Sequence, residues 1–242
     1  MKVYLIIGAG SDIGITYIER LVKNDDIRII ALYRNMSENL KTAIGSCKDV
    51  FFPFQVDLSD PIHVEDAIIK INETGLVPTH ILHLAAKPYG FVKIKNWDEI
   101  SVKESMQVSV YSFARICSEY LPKMAKAGYG KVVALVSSVT VGEPPKFTSM
   151  YTTVKYALLG FIKSASNEYA DKGLNINALS PGMVDTKFLD GIDEHIKEIA
   201  ADENPNKRLI STDEVADKIE FLLSDEADNI NGINMTMQDE LR

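Results

Sequence analysis

Cysteine is nearly missing from this 242-residue chain: Cys47 and Cys117 are the only two, and neither has a close partner. That excludes a disulfide framework and a thiolate zinc cluster, and it fits a reducing compartment. Positive charge is also in deficit, with 26 Lys and Arg against 34 Asp and Glu for a formal net charge of −8. No general basic field is present to attract a nucleic-acid backbone or an anionic membrane. Apolar runs are short. None approaches the roughly 20 residues that cross a bilayer, and the opening run Val3 to Ile7 is too brief for a signal h-region. A soluble, cytoplasmic protein is expected, with neither nucleic acid nor membrane among its partners. Linkers are lacking too: no Gly/Ser/Pro-rich tract, internal repeat or low-complexity segment divides the chain. With 46% hydrophobic and 25% charged residues, residues 1–242 read as one globular domain.

What is present is alternation. Short β-branched runs at Val3–Ile7, Ile27–Leu32, Val50–Val56, His80–Leu84, Lys131–Ser137 and Asn175–Leu179, with a last one near Ile233–Met237, are separated by longer amphipathic segments. This is the pattern of an α/β fold, a parallel sheet covered by helices on both faces. Ile13, Tyr17, Ile18, Leu21 and Val22 repeat at helical spacing, as do Val64, Ala67, Ile68 and Ile71. One long helix is expected from about Glu99 to Ala127, with Met106, Val110, Phe113, Ala114, Cys117 and Leu121 as its packing stripe and Pro122 as a bend or break. The stretch Thr186 to Arg208 is polar and helix-compatible, a candidate flap.

Gly8-Ala9-Gly10-Ser11-Asp12-Ile13-Gly14 follows a strand and opens a helix. There a diphosphate can lie against backbone N–H groups at the positive end of the helix dipole, although glycines at strand ends also serve plain turns. After the second strand the chain has Tyr33-Arg34-Asn35 rather than an acidic residue. A guanidinium there grips a 2′-phosphate, so Arg34 favours NADP(H), with NAD(H) as the alternative. Asp57, followed by Leu58, is placed either to accept a bond from an adenine amino group or to serve as a turn carboxylate.

Tyr151 and Lys155, four apart on a predicted helix, share a face, and Ser138 ends the fifth strand. All three lie on the rim where strands end and α/β proteins bind ligands. Reducing a ketone needs a proton donor and a dipole for the carbonyl oxygen; Tyr151 supplies the first and Ser138 the second. A neighbouring Lys155 ammonium is expected to lower the tyrosine pKa.

These motifs, with Val136-Ser137-Ser138, Tyr151 to Lys155 and Asn177 to Thr186 in matching order and spacing, resemble the short-chain dehydrogenase/reductase family over essentially the whole chain. The resemblance implies a Rossmann-like doubly wound sheet of about seven strands and a Ser/Tyr/Lys catalytic set. It also implies nicotinamide contacts from Val184 and Thr186 after the Pro181-Gly182 turn, and a homodimer or homotetramer formed through the helices holding Ser109 and Tyr151. Four positions depart from the family pattern. Asp12 replaces a turn glycine, Ala85-Ala86-Lys87 replaces Asn-Ala-Gly after the fourth strand, and Ser109 stands where the family has an active-site asparagine. His83-Leu84-Ala85-Ala86 is similar to the longer branch of the superfamily, but the chain ends too soon after its last strand for that branch's substrate region.

The expected activity is NADP(H)-dependent hydride transfer between nicotinamide and a small carbonyl or secondary alcohol. The alternatives are a 3-oxoacyl thioester reductase, or a cofactor-binding scaffold with impaired catalysis. Tyr89, Phe91 and Phe147 are candidates for a pocket wall, Lys87, Lys93, Lys95 and Lys146 for its mouth, and Trp97 for packing. His80 and His83 fall on opposite strand faces, and with His63 and His195 they suggest no metal site.

Overall fold

Seven strands form one parallel sheet in the order β3-β2-β1-β4-β5-β6-β7 in a computed structural model that describes residues 1–45 and 48–237. The strands are β1 Lys2–Ile7, β2 Ile27–Tyr33, β3 Phe51–Gln55, β4 His80–His83, β5 Gly130–Leu135, β6 Leu174–Ser180 and β7 Asn234–Thr236. Each matches a run expected from the sequence to within two residues at either end. Cys47 lies outside the described residues.

Helices cover both faces. Helices α1 (Asp12–Leu21), α2 (Glu38–Gly45) and α8 (Thr212–Leu223) pack on one side, with Ile18, Leu40 and Ile219 among the buried residues there. On the other side lie α3 (Pro61–Glu73), α5 (Ser112–Ala127) and α6 (Ser149–Glu168), which bury Ile68, Phe113 and Leu158. Period-3.6 stripes on both sides of a two-sided apolar sheet leave no other stable stacking. The remaining helices are α4 (Glu99–Met106) and α7 (Glu194–Glu203), the latter within the polar stretch expected to be helix-compatible.

The long helix runs from Glu99 to Ala127 as expected, with a π-turn at Gln107–Tyr111 inserted between α4 and α5. Pro122 does not break it, since α5 runs through that position to its left-handed cap at Gly128. Trp97 sits before α4 and is 43% exposed, so it is not the packing residue it was expected to be.

Register aligns one residue from every strand across the sheet. Phe54 pairs with Leu32, Leu32 with Ile7, Ile7 with His83, His83 with Ala134, Ala134 with Ala178, and Ala178 with Asn234. The chain leaves the sheet just beyond this row, so the loops that follow β1, β4, β5 and β6 emerge side by side.

The opposite end of the sheet carries a polar row, Tyr4, His80, Lys131 and Asn175. Lys131 is 1% exposed and bonds Asn175 Oδ1 at 2.8 Å and the Asp228 carboxylate. His80 is stacked on Tyr4 with ring centroids 4.4 Å apart, and Tyr129 donates to Asp225 at 2.7 Å. Burial holds the His80 imidazole down to about 3, so it remains neutral at ordinary pH. These bonds tie the segment after α8 to the strand starts. Lys131→Ala removes the buried cation together with its packed stem and strands Asn175 Oδ1. It is expected to cost about 3 kcal/mol and to lower Tm by roughly 6–12 °C in thermal denaturation. A shift of less than about 2 °C would show that the knot carries little stability.

Candidate active site

The turn after β1 is shaped by what its glycines leave out. Gly8 has φ of +91°, and a Cβ there would lie 3.0 Å from the Ala85 backbone nitrogen; one at Gly14 would lie 2.9 Å from the Gly8 and Ala9 carbonyl oxygens. Both positions therefore need glycine. Ser11 caps α1, its Oγ accepting from the Gly14 N–H at 3.1 Å and donating to the Gly8 carbonyl at 2.8 Å. Ile13 is buried behind the turn, and a Cβ on Gly10 would come within 3.3 Å of the Asn35 carbonyl. The result is a tight backbone cradle at a helix N-terminus, the kind of surface that accepts a diphosphate.

Asp12, at the departure from the glycine pattern, accepts the Lys187 N–H at 2.8 Å and ties α1 to the segment after β6. That segment holds Val184, bridged to Ile210, and Thr186, whose hydroxyl donates to the Val184 carbonyl at 3.2 Å. Pro181 accepts from the Ser138 N–H at 2.9 Å, and Gly182 follows it into the rim. Ala85 and Ala86 leave β4 beside Gly8, and Lys87 pairs with Glu104.

At the sheet edge, Arg34 is exposed and lines a groove with Asn35, Gln55, His63 and Lys70. Asp57 lies on the same groove, but its Oδ1 accepts from both the Ser59 N–H at 2.9 Å and the Ser59 hydroxyl at 2.7 Å. It therefore acts as a turn carboxylate. Those bonds, ahead of the smaller pull of Arg34, hold its pKa below the usual carboxylate value. Leu58 is buried beneath it.

Tyr151 and Lys155 project from the first turns of α6 into a cavity of about 370 Å³, which Ser109, Tyr89, Val92 and Met150 also line. Lys155 Nζ donates to the Leu135 carbonyl at 3.0 Å and sits 5.6 Å from the Tyr151 ring centre. Burial lowers its pKa to about 7. Burial also pushes the Tyr151 phenol up, against a hydrogen bond to Ser137 that draws it down. This reverses the direction expected from the sequence, because burial of the phenol outweighs the bond to Ser137.

Sequence reasoning missed Ser137 and His83 here, and it placed Tyr89 in the pocket wall without its stack. Ser137, the neighbour of the expected Ser138, lies near enough to the Tyr151 phenol to draw its pKa down. Ser138 opens the short 3-10 turn Ser138–Thr140 one position further on. Tyr89 stacks on the Tyr151 ring, with centroids 3.9 Å apart and planes 14° apart, and itself packs near Phe91 and Phe188. His83, wholly buried, places Nε2 2.9 Å from the Ser109 carbonyl. The doubled serine was the only signal for Ser137; no local spacing announces a stack or a bond between distant segments.

Among the described residues, no group of three His, Cys, Asp or Glu side chains is placed to hold a metal ion. No helix among them is long and apolar enough to cross a membrane.

The chain belongs to the short-chain dehydrogenase/reductase family of oxidoreductases: the family model described as enoyl-(acyl carrier protein) reductase matches residues 8–239. It is similar to the uncharacterized oxidoreductase YmfI of Bacillus subtilis, at 29% identity over 96% of this chain and 95% of that one. It is similar also to the 3-oxoacyl-[acyl-carrier-protein] reductase FabG of Salmonella typhimurium, at 24% identity over 96% and 93%. Among solved structures, ElxO with NADP bound has the same fold, with a TM-score of 0.86 at 23% identity over 98% of this chain and 96% of that one.

The depressed Lys155 pKa makes the stability of the fold depend on pH. Between about pH 7 and the unfolded lysine value near 10.4, the unfolded chain holds a proton that the folded one does not, so stability rises with pH across that window. Lys155→Met is expected to raise Tm most at or below pH 7, with the gain shrinking toward pH 10. A gain independent of pH in differential scanning calorimetry would contradict the burial account.

Proposed function

We propose that the protein is an NADP(H)-dependent carbonyl reductase or secondary-alcohol dehydrogenase acting on a small molecule. The observation that carries this reading is that Tyr151 and Lys155 line one cavity with Ala86, next to the Ala85 backbone that the glycine cradle packs against, while Ser137 interacts with the Tyr151 phenol.

The cradle suits the cofactor: side chains at Gly8 and Gly14 would collide with neighbouring backbone, so the turn stays tight against the α1 N-terminus, where a diphosphate is favoured. In this reading Gly8, Gly10, Ser11, Asp12, Ile13 and Gly14 form the diphosphate turn, and Arg34 meets the 2′-phosphate. Asp57 and Leu58, with Ala85 and Ala86, flank the adenosine. Pro181, Gly182, Val184 and Thr186 bound the nicotinamide end, where Tyr151 and Lys155 also approach. NADP is bound in ElxO and NAD in a 3-oxoacyl-[acyl-carrier protein] reductase of the same fold, and the guanidinium of Arg34 is what favours NADP(H) over NAD(H).

When bound, the reduced nicotinamide supplies the hydride. Tyr151 donates its phenolic proton to the carbonyl oxygen as negative charge grows there. The serine turn holds that oxygen with a hydroxyl, and the charged form of Lys155 stabilises the phenolate left behind. Tyr89 and Met150 exclude water from the ring face. The same reading makes the protein a homodimer or homotetramer formed through α5 and α6, whose flanking Tyr111 and Tyr156 are exposed.

A 3-oxoacyl thioester is the second substrate reading, favoured by the likeness to FabG. Turnover of a 3-oxoacyl thioester at a higher kcat/KM than simple ketones and sugars would select it.

Fluorescence titration is expected to show NADPH binding more tightly than NADH, with Arg34→Asp reversing the order. Tyr151→Phe should keep NADPH affinity within about threefold while lowering kcat by at least about 10³-fold, the scale of general-acid loss. Full turnover in that variant sinks the mechanism. Ser138→Ala should lower kcat about 10²-fold, and Ser137→Ala should chiefly move the alkaline limb of the pH–rate profile. The opposite pattern assigns the carbonyl-holding role to Ser137.

A further inference from the structure

His83 stands in the row that aligns the site, yet its side chain has no part in the chemistry above. It is wholly buried, its Nδ1 has no protein partner among the described residues, and a leucine there would avoid both penalties. What it makes in return is one polar contact, Nε2 to the Ser109 carbonyl at 2.9 Å. That carbonyl belongs to the π-turn Gln107–Tyr111. A π-turn inserts a residue into the helical ladder and is frequent at functional sites. Its ring lies flat on Phe113, with centroids 4.4 Å apart and planes 6° apart, and Phe113 follows the turn in the first residues of α5. Strand β4 thus grips the turn through a hydrogen bond and the following helix through a stack. Ser109 and Lys155 line the same cavity, and the lysine charge reaches His83.

We infer that His83 is a positioning residue for the reaction proposed above, on which this inference rests. Its Nε2–H holds the Ser109 carbonyl, and through it the π-turn, as a fixed inner wall of the cavity beside Lys155. The tautomer follows from the partner: a carbonyl only accepts, so Nε2 carries the proton and Nδ1 is bare. Burial, with Lys155 adding to it against the Ser109 bond, holds the imidazole pKa down to about 3, so the ring keeps one neutral form through the working pH range. Ser109 contributes its backbone, which explains how a short side chain serves at this position.

The first test needs no turnover. In protein labelled with ¹⁵N-histidine, two-bond ¹H–¹⁵N spectra should show His83 as the Nε2–H tautomer, without titrating, from about pH 5 to about pH 9. Its signal is assigned by its loss in His83→Gln. An Nδ1–H tautomer, or an imidazole that titrates in that range, overturns the inference. The second test reads catalysis. His83→Leu should keep NADPH affinity within about threefold and the ketone KM nearly unchanged while kcat falls about tenfold. His83→Gln, which retains an N–H donor, should recover most of that loss. A folded His83→Leu enzyme with wild-type kcat and an unmoved pH–rate profile also overturns it. Should Tyr151→Phe keep full turnover, or the wild type reduce no carbonyl, the proposed function fails and the positioning role fails with it. The tautomer still decides the His83–Ser109 bond on its own.

Discussion

The site hangs from one line of backbone pairing. Phe54, Leu32, Ile7, His83, Ala134, Ala178 and Asn234 lie abreast across seven parallel strands. Because parallel strands all end on the same side, this line brings Gly8, Ala85, Ser137 and Pro181 to one rim without any of them being near in sequence. Placing β4 next to β1, away from β3, opens the crevice there. A slip of one residue in any of these pairs would turn that strand's buried side chains to the opposite face and carry its loop out of line. Packing on both faces, through Phe113 and Leu158 on one side and Ile18 and Ile219 on the other, is what forbids the slip.

A second constraint acts just behind the rim. Ser180 accepts the Ser137 N–H at 3.3 Å and donates to Asn234 at 2.6 Å, while Asn234 donates to Thr140 at 3.2 Å. Thr140 in turn bonds the Ser137 carbonyl at 2.9 Å. The turn that presents Ser137 and Ser138 is therefore clamped by side chains from β6 and β7, the strands furthest along the sheet. Buried polar groups satisfied by one another in this way hold a loop to a single geometry, which a site that aims a hydroxyl at a phenol requires.

How much of this was legible depended on the range of the interaction. Strands bury two faces, so their apolar runs stood out, and the helices announced themselves through caps and stripes such as Asp60-Pro61 ahead of Val64, Ala67 and Ile68. Gly8, Gly14, Tyr151 and Lys155 were legible because backbone sterics and helical spacing are local. The π-turn was not: Met106, Val110, Phe113 and Cys117 keep a spacing that an unbroken helix also satisfies, and the inserted residue is accommodated by a strand distant in sequence. The Tyr89–Tyr151 stack joins a loop after β4 to a helix after β5, and only the strand order makes them neighbours. Asp57 was read in two ways, and the turn reading is the one its Ser59 bonds display.

The electrostatics of the cavity add a final step. The sequence alone suggests a charged lysine sharpening a tyrosine, but burial pushes both groups toward their neutral forms, lifting the Tyr151 phenol and lowering the Lys155 amine to about 7. A neutral pair is the cheaper state where both groups are buried, with Tyr89 stacked on the Tyr151 ring. Because burial is what lowers the amine, Lys155 is sensitive to whatever changes that burial. Control of the pair therefore falls to the walls that set burial: Tyr89 above the ring, the Leu135 carbonyl that holds Lys155, and the π-turn that His83 grips from below. On this argument, rigidity around Ser109 matters to the chemistry because Lys155 responds to small displacements of the wall beside it.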